Sequence, residues 1–220
     1  MSAGERPRVS PLGTSALLFE APGETELLTQ RRIWSLAREA ETWPEVREAV
    51  PGVNNLLVSF TAPPRRLAPL TERLGAAWQA AEPLPLAGRL VELPVVYGGE
   101  GGPHMADVAA HTGLAVDEIV AIHSGPAYPV FALGSHPGYC YLGGMDPRIA
   151  TPRRRVPVVS IPGGAVSIGG AQTGVSASAG PSGWNTIGTT SMRFFDATRD
   201  PPALLQPGDS IVFKVAGVVR

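Results

Sequence analysis

The chain has 220 residues, of which 44% are hydrophobic and 17% charged, and a formal net charge of −1. This is the composition of a folded protein with a sizeable core, not of a disordered chain. The near-zero charge gives no electrostatic reason to expect nucleic acid or an anionic membrane surface as a partner.

The 26 glycines and 23 prolines favour a turn-rich β protein over a helical bundle. A single cysteine, Cys140, excludes an intrachain disulfide framework. The opening residues lack the apolar core of a signal peptide, and no stretch approaches membrane-spanning length, so a cytoplasmic protein is expected.

In chain order, residues 14–21 form a short apolar run that reads as a buried strand. Residues 24–42 read as a helix, with Leu27, Ile33, Trp34, Ala37 and Ala40 on one face and Arg31, Arg32 and Glu39 outside. Residues 45–52 alternate and break at Pro51-Gly52, a turn signal, and 53–60 supply a partner strand. A second helix spans about 66–82 and is stopped by Pro83; residues 88–97 are extended again. The order β-α-β-β-α-β is the split ferredoxin-like pattern.

The composition then changes. The glycine-rich segment 97–102 makes a hinge or turn, and Pro103 suits the first position of a short helix running to His111. Gly113 ends that helix, and 115–125 form another, closed by Gly125. From Ala127 onward, short strands alternate with Gly and Pro, as in a closed barrel or sandwich.

The helix pair at 108–124 has the cadence of a helix-turn-helix, but its second helix offers Asp117, Glu118 and His123 with no Arg or Lys. Phosphate would be repelled, so the pair reads as a packing unit. The four histidines fit no metal-ligand spacing and no metal is expected. The glycine-rich segment 161–174 matches neither dinucleotide nor P-loop spacing and precedes no helix, so its glycines read as turns and bulges. Cys140, between two tyrosines, reads as a buried thiol. His123 lies at a helix C-terminus, where the dipole favours its protonated form; a site role and a capping role both remain open. Asp146 precedes a proline, so turn and site roles compete, and Asp209 reads as a turn residue before the last strand.

Seven phrases then stand in order: EAVPGVNNLLVSF (48–60), LPVVYGGEGGP (93–103), IHSGPAYPVFALG (122–134), PGYCYLGGMDPRIATPRR (137–154), GGAQTGV (169–175), SGWNTIG (182–188) and LLQPGDSIVF (204–213). Together they resemble the family that contains the B subunit of 5-oxoprolinase, the first subunit of allophanate-hydrolase-type proteins, and the bacterial sporulation-kinase inhibitor. The resemblance implies an α+β fold: a ferredoxin-like domain over 1–90, then a cyclophilin-like β-barrel of carboxyltransferase type over 91–220. It implies a subunit of an ATP-dependent complex that opens a cyclic or linear amide, with ATP bound here or on a partner. The partners implied are a related second barrel subunit and a third, lactam-opening subunit. The alternative it carries is a non-catalytic regulator that inhibits a sensor histidine kinase and is antagonised by its partner subunit.

Within the matching phrases, His123 and Glu100 are candidates to move a proton and Gln172 to hydrogen-bond an amide. Arg148 and Arg153 could grip a carboxylate or phosphate in bidentate fashion. Tyr97, His136, Tyr141, Asp146, Thr173 and Trp184 complete the expected substrate-binding set. The chain departs from the expected family pattern at Ser135-His136, Ser182-Gly183 and Thr189-Thr190-Ser191.

Overall fold

A computed structural model describes residues 6–85 and 88–220. The chain divides into two compact units, Met1–Leu86 and Ala87–Arg220.

In the first unit, β1 (Arg8–Pro11), β2 (Ala16–Glu20), β3 (Val46–Pro51) and β4 (Asn55–Phe60) form an antiparallel sheet in the order β1-β2-β4-β3. Alternation along β4 buries Leu56, Val58 and Phe60, which join Leu17 and Phe19 of β2 in one core. Two helices, α1 (Leu27–Glu41) and α2 (Ala68–Ala80), contribute Ile33, Leu36, Leu74 and Trp78 to it. The Arg32 guanidinium stacks 3.9 Å from the Trp78 ring and donates to the carbonyls of Trp78 and Ala81, which satisfies the end of α2.

One expectation is corrected here. The strand at 88–97 does not close this sheet. The edge beside β2 is taken by β1, paired from Arg8↔Glu20 to Pro11↔Leu17. The expected strand is β5 (Leu90–Gly98) and belongs to the second unit, where it pairs in parallel along β13 (Ser210–Val219). Its alternation buries Leu93, Val95 and Tyr97 in the second core.

The second unit continues with α3 (Met105–Thr112), α4 (Val116–Ser124), β6 (Ala127–Leu133), β7 (Cys140–Leu142), β8 (Val158–Ile161), β9 (Ala165–Gly169), β10 (Gln172–Val175), β11 (Gly180–Ser182), β12 (Asn185–Thr189) and β13. Seven strands form one sheet in the order β10-β9-β12-β5-β13-β6-β7, and β10 lies beside β7, so the sheet curls into a nearly closed barrel. The barrel fold expected for this half is present. Two strands, β8 and β11, make a separate antiparallel ribbon. The helix pair packs on the sheet: α3 against β12, α4 against β13. Gly113, in the left-handed conformation (φ 72°), ends α3 as a glycine cap. Among the described residues, no helix is long and apolar enough to cross a membrane.

Candidate functional site

The wall formed by β9 and β10 has two chemically different faces, because successive side chains alternate across a strand. Val166, Ile168 and Val175 face the core, and Thr173 is buried with them. The opposite face carries Ser167, Gly174 and Ser176 and forms the floor of a cleft of about 420 Å³. The ribbon strand β11 and its approach (178–183) form one side of the cleft, and the 135–141 loop with β7 forms another.

Four aromatic rings gather there. The His136 and Tyr139 centroids are 5.1 Å apart, Tyr139 meets Tyr141 edge-on at 5.1 Å, and Tyr139 meets Trp184 edge-on at 6.5 Å. Trp184 lies against a strand position without a side chain: a Cβ on Gly169 would stand 2.4 Å from its ring. A Cβ on Gly174 would meet the Tyr139 hydroxyl at 3.0 Å and Trp184 at 3.4 Å. The two glycines, on the paired strands of the β9–β10 hairpin, give the aromatic wall room. Arg153 stands 5.6 Å from the centroid of Trp184. Burial raises the pKa of the Tyr139 phenol above its ordinary value, with Tyr141 adding to the effect, so it remains a hydrogen-bond donor.

Behind the wall lies a second polar arrangement, fully buried. The Tyr97 hydroxyl and His123 Nδ1 are 2.8 Å apart, as are His123 Nε2 and Thr173 Oγ1. Thr173 Oγ1 donates to the Ser167 carbonyl at 3.1 Å, so its oxygen accepts from Nε2–H and Nδ1 is left to accept from Tyr97. The donors therefore run in one direction, from Tyr97 to a backbone carbonyl. The Tyr128 hydroxyl donates to the His123 carbonyl, and the imidazole stacks 4.4 Å from Phe213. Burial pushes the His123 pKa down to about 3.

The expectation of a protonated His123 is thus corrected. Desolvation of an imidazole with zero exposure outweighs the dipole of α4, which is worth about 0.3–1 kcal/mol at exposed sites. Both ring nitrogens are engaged within the core.

Of the residues singled out from sequence, His136, Tyr141, Arg153 and Trp184 meet in the cleft. Tyr97, His123 and Thr173 meet each other behind it. Glu100 is exposed on the one-turn helix at Gly99–Gly101, and Gln172 is half-buried at the start of β10, outside the cleft lining. The expected catalytic set, His123 and Glu100 to move a proton and Gln172 to hydrogen-bond an amide, is therefore not gathered in the cleft. Asp146 caps the short turn at Pro147–Ile149 by accepting from the Arg148 amide at 2.9 Å, and Arg148 grips the same carboxylate at 2.7 Å. The Arg148 hydrogen bonds hold the Asp146 carboxyl below its ordinary pKa. The pair satisfies itself outside the cleft.

Sequence reading did not single out Tyr139, Ser167, Gly169, Gly174 or Ser176, and took Ser182 only as a departure from the expected pattern. Tyr139 carried a usable signal: Cys140 and Leu142 are core residues, so alternation sends Tyr139 and Tyr141 together to the other face. Cys140 itself is 1% exposed, and burial pushes its thiol up to about 12, which keeps it un-ionised. The glycine-rich segment is the β9–β10 hairpin and opens no helix. Among the described residues, no group of three or more His, Cys, Asp or Glu could hold a metal ion.

Comparison with known proteins agrees with this architecture. The chain is 44% identical to the B subunit of 5-oxoprolinase from Escherichia coli O157:H7 over 95% of its own length and 96% of that protein. It is 38% identical to the B subunit of 5-oxoprolinase from Haemophilus influenzae over 96% and 98%. Among solved structures, TTHA0988 superposes with a TM-score of 0.75 at 32% identity, covering 91% of this chain and 39% of that one. A conserved uncharacterised protein from Pyrococcus horikoshii does so with 0.58 at 38% identity, covering 96% and 98%. The Kluyveromyces lactis urea amidolyase shares the fold at TM-score 0.80 and 18% identity, over 96% of this chain and 15% of that one. The family described as carboxyltransferase domain, subdomain C and D, matches residues 7–205. With that match and these relatives, the chain belongs to the carboxyltransferase-domain C/D family, in the company of the 5-oxoprolinase B subunits.

Proposed function

We propose that the chain is a subunit of a 5-oxoprolinase-type complex in the cytoplasm, one that opens a cyclic or linear amide with ATP hydrolysis. The observation that carries this reading is the end-to-end match to a 5-oxoprolinase B subunit, 44% identical over 96% of that protein. A related second barrel subunit and a third, lactam-opening subunit are the partners.

The cleft between the β9–β10 wall and the β11 ribbon is where this chain meets the small-molecule amide. Its serine hydroxyls and the Tyr139 phenol are donors suited to a polarised carbonyl. Among the described residues, no Asp or Glu lines it, and His123 is sealed behind its floor. We therefore assign substrate contact to this chain and bond cleavage to a partner. ATP fits the residues here poorly. The glycine-rich segment is a hairpin without a helix N-terminus, and the cleft offers a single arginine where a triphosphate calls for several cations and amides. The nucleotide is accordingly assigned to another subunit.

The test is reconstitution. The three subunits, combined from purified components, are expected to hydrolyse ATP only when 5-oxoproline is present, and to lose this coupling when the chain is omitted. Turnover that is indifferent to the chain would refute the reading.

A further inference from the structure

The ribbon of β8 and β11 carries a surface that neither the barrel core nor the cleft uses. Val159 and Val156 are the most exposed large apolar side chains among the described residues, at 87% and 76%. They lie on β8 and its lead-in, and of β8 only Ile161 lines the cleft. The ribbon has two strands, so each keeps one edge that no described strand pairs. The two edges are not equivalent. Pro181 stands in the middle of β11 and removes a donor there. In β8 every position from Val158 to Ile161 has a backbone N–H, with Pro157 and Pro162 only at the flanks. An uncovered edge with apolar side chains beside it is a template for another strand. The charge beside it has one sign. No acidic residue lies between Asp146 and Asp196, a stretch that holds Arg148, Arg153, Arg154, Arg155 and Arg193. Arg148, Arg154 and Arg193 face Asp146, Asp107 and Asp196. Arg153 and Arg155, both exposed and just ahead of Val156, have no carboxylate partner among the described residues.

We propose that the free edge of β8 is a docking surface for an extended, acidic segment of a partner subunit. The segment adds as a strand along Val158–Ile161, rests apolar side chains on Val156 and Val159, and sets carboxylates against Arg153 and Arg155. This rests on the subunit role assigned above and adds to it the place and the chemistry of contact. The flanking prolines hold the added strand to the length of β8, so main-chain bonds supply part of the affinity and the side chains select the partner. A second copy of this chain fits the edge poorly: pairing through the same strand would bring more arginines and no carboxylate. Because β11 walls the cleft, a strand added to β8 also steadies that wall.

Calorimetric titration of the full chain with each purified partner subunit, the second barrel subunit and the lactam-opening one, tests this. One of them is expected to bind, and to bind less tightly as salt is raised. Val159→Asp should weaken that binding about tenfold or more, and Arg155→Glu about three- to tenfold. Leu28→Asp, the same kind of change at an exposed side chain of α1, should leave it unaltered. All three positions are exposed, so the variants should match the parent in urea denaturation. In the complex the amides of 158–161 should gain protection from hydrogen exchange, and the partner segment protected with them should be acidic. Affinity insensitive to Val159→Asp or Arg155→Glu, an equal loss with Leu28→Asp, no protection at 158–161, or a second copy of this chain on the edge would each overturn the proposal. The two readings fail separately. A complex that assembles and turns over normally with Val159→Asp keeps the subunit role and loses the docking surface. A partner held at the β8 edge without 5-oxoproline-coupled turnover does the reverse, and no binding to either subunit removes both.

Discussion

Gly169 lies under the indole of Trp184, where an added Cβ would stand 2.4 Å from the ring. Gly169→Ala must displace the indole or the strand. Overpacking of this kind costs about 1–3 kcal/mol. The variant is expected to lose that much stability in urea, to shift Trp184 emission and to weaken ligand binding. Unchanged emission would show that the ring is not seated on β9. His123 gives a prediction in pH. Its folded pKa of about 3 lies below the ordinary value of 6.5, so below 6.5 the unfolded chain takes up a proton that the folded chain refuses. The stabilisation is complete above 6.5 and falls as pH drops from there, by about 1.4 kcal/mol per pH unit. His104 shifts the same way, chiefly through burial and then through the charge of Arg154, and its Nδ1 accepts from the Thr186 amide at 2.9 Å. Urea midpoints measured between pH 7.5 and 5 should therefore decline, and His123→Gln should flatten the slope. A flat parent profile would contradict a neutral buried imidazole.

At the scale of elements, the two faces of the β9–β10 wall separate the core from the cleft. Thr173→Val leaves His123 Nε2–H without its acceptor and is expected to cost about 1–3 kcal/mol. Ligand affinity should hold, because Thr173 faces the core and Gly174 the cleft. Weakened binding at unchanged stability would reverse that assignment. A second junction fixes the parallel pair of β5 and β13. Asp209 accepts from the Arg89 amide at 2.8 Å, the Arg89 guanidinium at 2.9 Å and the Gln206 amide at 3.0 Å. Burial alone would raise its pKa, but these donors outweigh it and hold the carboxyl below its usual range. Asp209→Ala orphans the backbone donors at both strand entrances and is expected to lower stability by about 1–3 kcal/mol, read from thermal melting.

For the whole molecule, two separate apolar cores predict two separable responses. Leu56 has zero exposure in the first core, and Leu56→Ala is expected to cost that unit about 2–5 kcal/mol. The tryptophans report on each unit by location: Trp34, Trp43 and Trp78 lie in the first and Trp184 in the second. Comparing the variant with and without Trp184→Phe should place the early transition in the first unit and leave the cleft signal unmoved. A single joint transition would show that the units unfold together.

Sequence alone determined much of this protein, wherever the cause was local. Periodicity located α1, and proline and glycine start and stop signals located α2, α3 and α4, each to within a few residues, because an amphipathic stripe or a cap needs no knowledge of its partner. Matching phrases identified the family and picked out Tyr141, Arg153 and Trp184, and His136 stood out as a departure from the expected pattern; the four do meet in one cleft. Pairing between distant segments was legible only in three dimensions. The extended character of 88–97 says nothing about which sheet will take it, and β13, more than a hundred residues later, decides. Likewise, His123 at a helix end reads as protonated until the core around it is known, since desolvation depends on every neighbour and the dipole on only one helix. The cleft rests on the same kind of information. Ser135-His136 and Ser182-Gly183, read from sequence as departures from the expected family pattern, line one pocket only because the β11 ribbon and the 135–141 loop close over a floor left open by two glycines.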